Sequence, residues 1–173
     1  MFQFRFLTIV GMIGLAALSR LIPHPWNFTP VGAMALFAGA QFEQKKHAFL
    51  VPLLAVFISD LFLGFYPGIG FVYLSYVSIV FVGFWLKESL IFSRWVFSSM
   101  ATSVLFFIIS NFGVWMSGGL YPLTLSGLAQ CFVAAIPFFR NTMVGDFVFS
   151  SILFGSFLLA SLRFPSLKNR VSC

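Results

Sequence analysis

Charge is what this chain has least of. Among 173 residues it carries ten Lys or Arg and four Asp or Glu, 8% in all, where an ordinary soluble domain has about a quarter. Cysteine is nearly absent as well. Cys131 and Cys173 give neither a disulfide framework nor the spacing of a zinc site. Cys173, in a basic polar tail, lacks the context for prenylation. No zinc-helix motif, nucleophile elbow or phosphate loop occurs, so the chain does not itself drive transport with nucleotide. There is no internal repeat and no low-complexity linker, and residues 1–173 read as one domain.

What is present is apolar. The sequence is 60% hydrophobic and contains 26 Phe, and its mean hydropathy is +1.02. A soluble fold of this length cannot hide so many aromatic rings, so lipid is the expected solvent for most of the surface. The net charge of +6 does not point to nucleic acid, because the basic residues stand singly or in pairs at the ends of apolar runs, as membrane topology requires.

A spanning helix needs about 20 mainly apolar residues. The candidates are 4–21, 30–43, 47–65, 69–87, 94–116 and 142–163. The first resembles a signal peptide, with Ala17-Leu18-Ser19 as a cleavage-like site, and is taken as a retained helix. The second is short, and its small residues, Gly32 to Ala40, suit a helix packed among others. A further apolar stretch, 122–139, begins at Pro122, contains Pro137 and is followed by Arg140-Asn141-Thr142. With both termini cytoplasmic and six spans, the inner side holds Arg5, Lys45, Lys46, Lys87, Arg94, Arg163, Lys168 and Arg170, and the outer side only Arg20 and Arg140. A full crossing by 122–139 weakens that bias, so this stretch is expected to be a re-entrant or interfacial helix on the outer side. The expectation is an all-α, multi-pass protein of a bacterial inner (plasma) membrane, with the bilayer as a partner.

Two carboxylates, Asp60 and Asp146, fall inside apolar segments, where an ionisable group faces a partner, a cavity or a ligand. The assumed topology gathers polar residues on the outer side: Asp60, Asn111, Trp115, Arg140, Asn141 and Asp146, with His24 and Asn27 in the first outer loop and Tyr66 and Tyr121 at the other turns. An outward-facing pocket is the functional reading of this cluster. The structural alternatives are equally concrete. Asp60 pairs with Arg20 or Arg140. Asp146 caps the N-terminus of the last helix. Asn27 or Thr29 caps the second helix, with Pro30 in its first turn. Gly113, Gly118 and Gly119 make a tight turn around Trp115, and Cys131 is a small buried hydrophobe or a soft-metal ligand. A membrane enzyme using Cys131, His24 and the aspartates, or a structural subunit of a membrane complex, stand as the other functions.

Several stretches together resemble a family of small uncharacterised bacterial inner-membrane proteins: Ser19 to Pro30 running into Gly32 to Phe37, Ser59 to Gly64, Asn111 to Trp115, and Pro137 to Asp146. A looser similarity is to the substrate-binding S components of energy-coupling-factor vitamin transporters, through the Ile22-Pro23 end of the first helix, the small-residue second helix and the Asp60 to Gly64 element. That resemblance implies a six-helix protein that takes up a small micronutrient from the outer side. It also implies docking on an energising transport module through small residues of the first helix, here Gly11, Gly14, Ala16 and Ala17. A cysteine on the cobalt of a cobalamin, as in solitary members, puts Cys131 forward for that role.

Overall fold

The computed structural model describes residues 2–167 apart from Gly118. Lys168, Arg170 and Cys173 lie outside the described residues. Six α-helices account for nearly all of it: α1 (Phe2–Ser19), α2 (Val31–Gln41), α3 (Lys45–Leu63), α4 (Ile69–Lys87), α5 (Phe92–Ser117) and α6 (Leu125–Arg163), with a 3-10 turn at Pro165–Leu167. Helices α3 to α6 are each long and apolar enough to cross a bilayer. Large apolar side chains stand exposed on the outside of the bundle, among them Leu15, Phe62, Phe81, Phe97 and Leu159. This is the surface of a membrane protein.

The structure corrects the reading of the C-terminal third. The stretch 122–139 and the segment 142–163 are one helix, α6, of 39 residues, about 58 Å long at 1.5 Å per residue. It runs antiparallel to α5. Pro137 lies inside it, and the lost backbone bond is tolerable in a helix supported by neighbours. The polar triplet does not break the helix either. Thr142 Oγ1 donates back to the Phe138 carbonyl at 3.2 Å, and Asn141 Nδ2 donates to the Trp26 carbonyl at 3.0 Å. Thr124 caps the start of α6, accepting from the Gly127 N–H at 3.2 Å.

Helix α2 is the centre of the bundle. It has 11 residues, every one buried, and at about 16 Å reaches only halfway through a 30 Å hydrocarbon layer. Neither Asn27 nor Thr29 caps it. Pro30 occupies the cap position without a side-chain bond, and Asn27 takes a left-handed φ of 61° in the loop before it. A side chain of another helix comes to this end instead. The carboxyl group of Asp146 packs against the first turn of α2 at Gly32, with the Ala33 N–H beside it. At the opposite end, Arg5 Nη2 donates to the Gln41 carbonyl at 2.7 Å and Lys87 Nζ to the Phe42 carbonyl at 2.6 Å. A carboxyl acceptor at the N-terminus and two cations at the C-terminus suit the orientation of the helix.

Close approach makes this burial workable. Gly39 of α2 lies against Gly83 of α4, where a Cβ built on Gly39 falls 2.8 Å from the Gly83 Cα. Gly32 meets the side chains of Asp146 and Thr102, with Thr102 Cγ2 at 2.7 Å from an added Cβ. Gly32→Ala is therefore expected to destabilise the protein by about 1–3 kcal/mol through overpacking, read as a lower thermal midpoint in detergent. An unchanged midpoint would refute the contact.

Candidate functional site

The helix ends sort into two faces. Arg5, Gln41, Lys87 and Leu167 meet at one end. Arg20 and Asp60 meet at the other. The polar residues singled out in the sequence form two groups towards that end and one, around Asp146, nearer the middle of the bundle.

The first is an ion-pair cluster. Arg20 Nη2 lies 2.8 Å from Asp60 Oδ1, with both side chains largely buried. Tyr73 Oη donates to Asp60 Oδ2 at 2.7 Å, and Arg20 Nη1 donates to the Ser59 hydroxyl. Asp60 sits in the last turn of α3, where the dipole disfavours a carboxylate. The guanidinium beside it supplies the opposing charge. Helix α3 then ends on Gly64, whose φ of 92° suits glycine and whose N–H bonds to the Asp60 carbonyl at 2.8 Å. Arg140 is exposed and pairs with neither aspartate among the described residues.

The second group surrounds Asp146. It does not open a helix, because α6 begins at Leu125, far upstream. It is 2% exposed and lies midway along α6, accepting from Ser103 Oγ at 2.6 Å and from the Ala33 N–H. Ser99 Oγ and Ser150 Oγ, one turn further towards the Arg5 end, are 3.2 Å apart.

The third group forms a cavity of about 240 Å³ between the start of α4, the second half of α5, the middle of α6 and the loop at Asn27. Asn27, Tyr66, Ser110, Asn111 and Thr142 provide its polar atoms, and Phe106, Phe107, Phe138 and Phe139 its aromatic walls. No charged side chain lines it among the described residues. The polar groups are oriented by their own helices. Ser110 Oγ donates to the Phe106 carbonyl at 2.5 Å and Asn111 Nδ2 to the Phe107 carbonyl at 2.7 Å, as Thr142 does to Phe138. The hydroxyl lone pairs and the Asn111 amide oxygen remain as acceptors, and the second Asn111 Nδ2 hydrogen remains as a donor. Burial and the nearby Asp60 carboxylate push the Tyr66 phenol above its ordinary value, so it stays a neutral donor.

The remaining candidates lie apart from one another. Trp115 Nε1 donates to the Pro122 carbonyl at 3.0 Å, closing the turn between α5 and α6; Gly119, with φ 62°, is in that turn. Gly113 is instead inside α5, packed on Phe71. Cys131 is buried, with Sγ 3.4 Å from the Asn111 carbonyl, and His24 is an exposed loop residue bonded to the Ile22 carbonyl. No three His, Cys, Asp or Glu side chains among the described residues are placed to hold a metal ion. Two larger hollows, of about 510 and 440 Å³, are mainly apolar grooves on the sides of the bundle. The Phe rings, Ser110 and Thr142 were not singled out in the sequence. The one local signal for the two hydroxyls is adjacency, Ser110 to Asn111 and Thr142 to Asn141.

A family described as a family of unknown function, DUF6580, matches residues 1–167. The chain belongs to DUF6580. No curated protein and no solved structure matches it. The membership of this DUF6580 protein agrees with the resemblance to an uncharacterised family, and it carries no link to vitamin-transporter S components.

Proposed function

We propose that this protein is a multi-pass membrane protein of a bacterial inner membrane that binds a small, uncharged molecule for uptake, in a cavity open to the outer side. The observation that carries this is the cavity of about 240 Å³, in which polar atoms and aromatic faces converge with no charged group among the described residues. It is slightly smaller than the 300–1,000 Å³ of typical ligand sites. Its lining suits a compact planar ring bearing both N–H or O–H donors and an acceptor.

The outward assignment rests on charge. Arg5, Lys45, Lys46, Lys87, Arg94 and Arg163 belong to the end away from the cavity, and Arg20 and Arg140 to the cavity side, the bias expected of a cytoplasmic and an outer face. With that orientation all six helices make crossings, α2 completing its own with the loop at 20–30. A vitamin-like micronutrient, an S-component-like role and an energising transport module fit this reading as its finer form. The Arg20–Asp60–Tyr73 cluster favours a structural role for Asp60, so ligand recognition falls to Asn111 and its neighbours rather than to the carboxylates.

The test is native mass spectrometry of the protein released from mild detergent. A bound small molecule is expected on the wild type. Asn111→Leu should lose it, with affinity falling about tenfold or more for one lost buried hydrogen bond, while the thermal midpoint is kept. A molecule that remains bound to the Asn111→Leu protein would rule out this cavity as its site.

A further inference from the structure

Asp146 differs from Asp60 in having no cation. Among the described residues the ion pairs are those of Arg20 with Asp60 and Arg94 with Glu88, so a carboxyl group that is 2% exposed is left in the middle of a bundle without a countercharge. A buried ionised carboxylate in that position is very unfavourable, and such groups either pair or take up a proton. Its surroundings permit the second course without rearrangement.

The decisive atom is Ser103 Oγ. It lies 2.6 Å from Asp146 Oδ2 and 3.3 Å from the Ser99 carbonyl oxygen. A hydroxyl has one hydrogen and can also accept, so it serves one of these acceptors at a time. With Asp146 ionised, Ser103 donates to the carboxylate. With Asp146 protonated, the new O–H donates to Ser103 Oγ and the Ser103 hydrogen turns to the Ser99 carbonyl. Both states leave every group bonded.

We propose that Asp146 is a proton-binding site, exchanging its proton with the cavity one helical turn away at Thr142 and using Ser103 as the rotor that serves both states. The step is one proton transfer from hydronium in the cavity to the Asp146 carboxylate: one hydronium O–H bond breaks, leaving water, and the carboxyl O–H bond forms. A metal cation is a poorer occupant. Ser103 and the Ala33 amide present hydrogens to the carboxylate, and the Gly32 side has no room even for a methyl group, whereas a hard cation needs a shell of oxygen lone pairs.

The groups facing Asp146 are the Ala33 N–H from α2 and Ser103 from α5, and the titratable group within its electrostatic reach is the Tyr76 phenol of α4. The proposal deepens the cavity reading and rests on it for one consequence: protonation and cavity occupancy should alter each other's affinity by the same factor. Its own test needs no ligand.

The chain has just two aspartates, so aspartate-selective 13C labelling gives two carboxyl resonances. In the full-length protein in lipid nanodiscs, one resonance should move reversibly between about pH 4 and about pH 9. That resonance should be missing from Asp146→Asn. In Ser103→Ala its titration midpoint should move, which keeps the assignment testable if the asparagine variant does not fold. The proposal is overturned if neither resonance titrates, if the titrating one persists in Asp146→Asn, or if sodium at constant pH displaces the proton.

Discussion

Asp60→Ala should lower stability by about 3–5 kcal/mol, the range for removing one partner of a buried ion pair. The alanine leaves the Arg20 guanidinium buried against the Val56 carbonyl and the Ser59 hydroxyl with no anion, and it strands the Tyr73 phenol as a donor. Thermal unfolding in detergent, followed by size-exclusion chromatography, is the measurement. The double variant Arg20→Met/Asp60→Leu should recover much of the loss, because apolar replacement of a whole buried pair is often neutral or better. A destabilised double variant equal to Asp60→Ala would show that the charges do more than satisfy each other. The distinction matters for function. Loss of binding in Asp60→Ala alone is explained by the fold, and only Asn111→Leu reports on the cavity.

Gly83→Val is expected to be at least as damaging, at about 3 kcal/mol or more, beyond the usual cost of overpacking. A Cβ at Gly83 falls 2.5 Å from the Leu36 carbonyl oxygen and 2.7 Å from the Gly39 Cα. Both obstacles are backbone atoms, which no rotamer change relieves. Helix α2 is anchored at both ends, by Asp146 and by Arg5 with Lys87, so it cannot slide away. The expected result is aggregated or degraded protein, while Gly11→Val, on an α1 position with open space around it, expresses normally. A monodisperse Gly83→Val protein with the wild-type midpoint would show that α2 and α4 are not in backbone contact.

The membrane-like character and most helix positions were legible in the sequence, because each follows from local composition. The Arg20–Asp60 pair was legible as one of two pairings. Choosing between Arg20 and Arg140 needed the packing of α1 against α3. The length of α6 was misread because Pro137 and Arg140-Asn141-Thr142 are locally the signs of a break. Bonds to Phe138 and Trp26 satisfy the polar side chains within or beside the helix, and nothing local announces them. Asp146 was misplaced for the same reason. With the break assumed, it stood near a helix start, and it does cap a helix start, though that of α2, over a hundred residues away in sequence. The cavity walls were hidden because Phe is everywhere in this chain, so no single ring stood out.

The burial of α2 separates the order of synthesis from the order of assembly. It emerges second from the ribosome, but 11 residues are too few to partition into a bilayer as an independent span. Its seat is made of Gly83 on α4, Thr102 on α5 and Asp146 on α6, none of which exists when α2 is made. Until α6 arrives, the first turn of α2 has no acceptor for the Ala33 N–H, and exposed backbone donors are not tolerated in lipid. The segment is therefore expected to be seated last, and a truncation that removes α6 should leave the second helix, and not only the last, outside the membrane core.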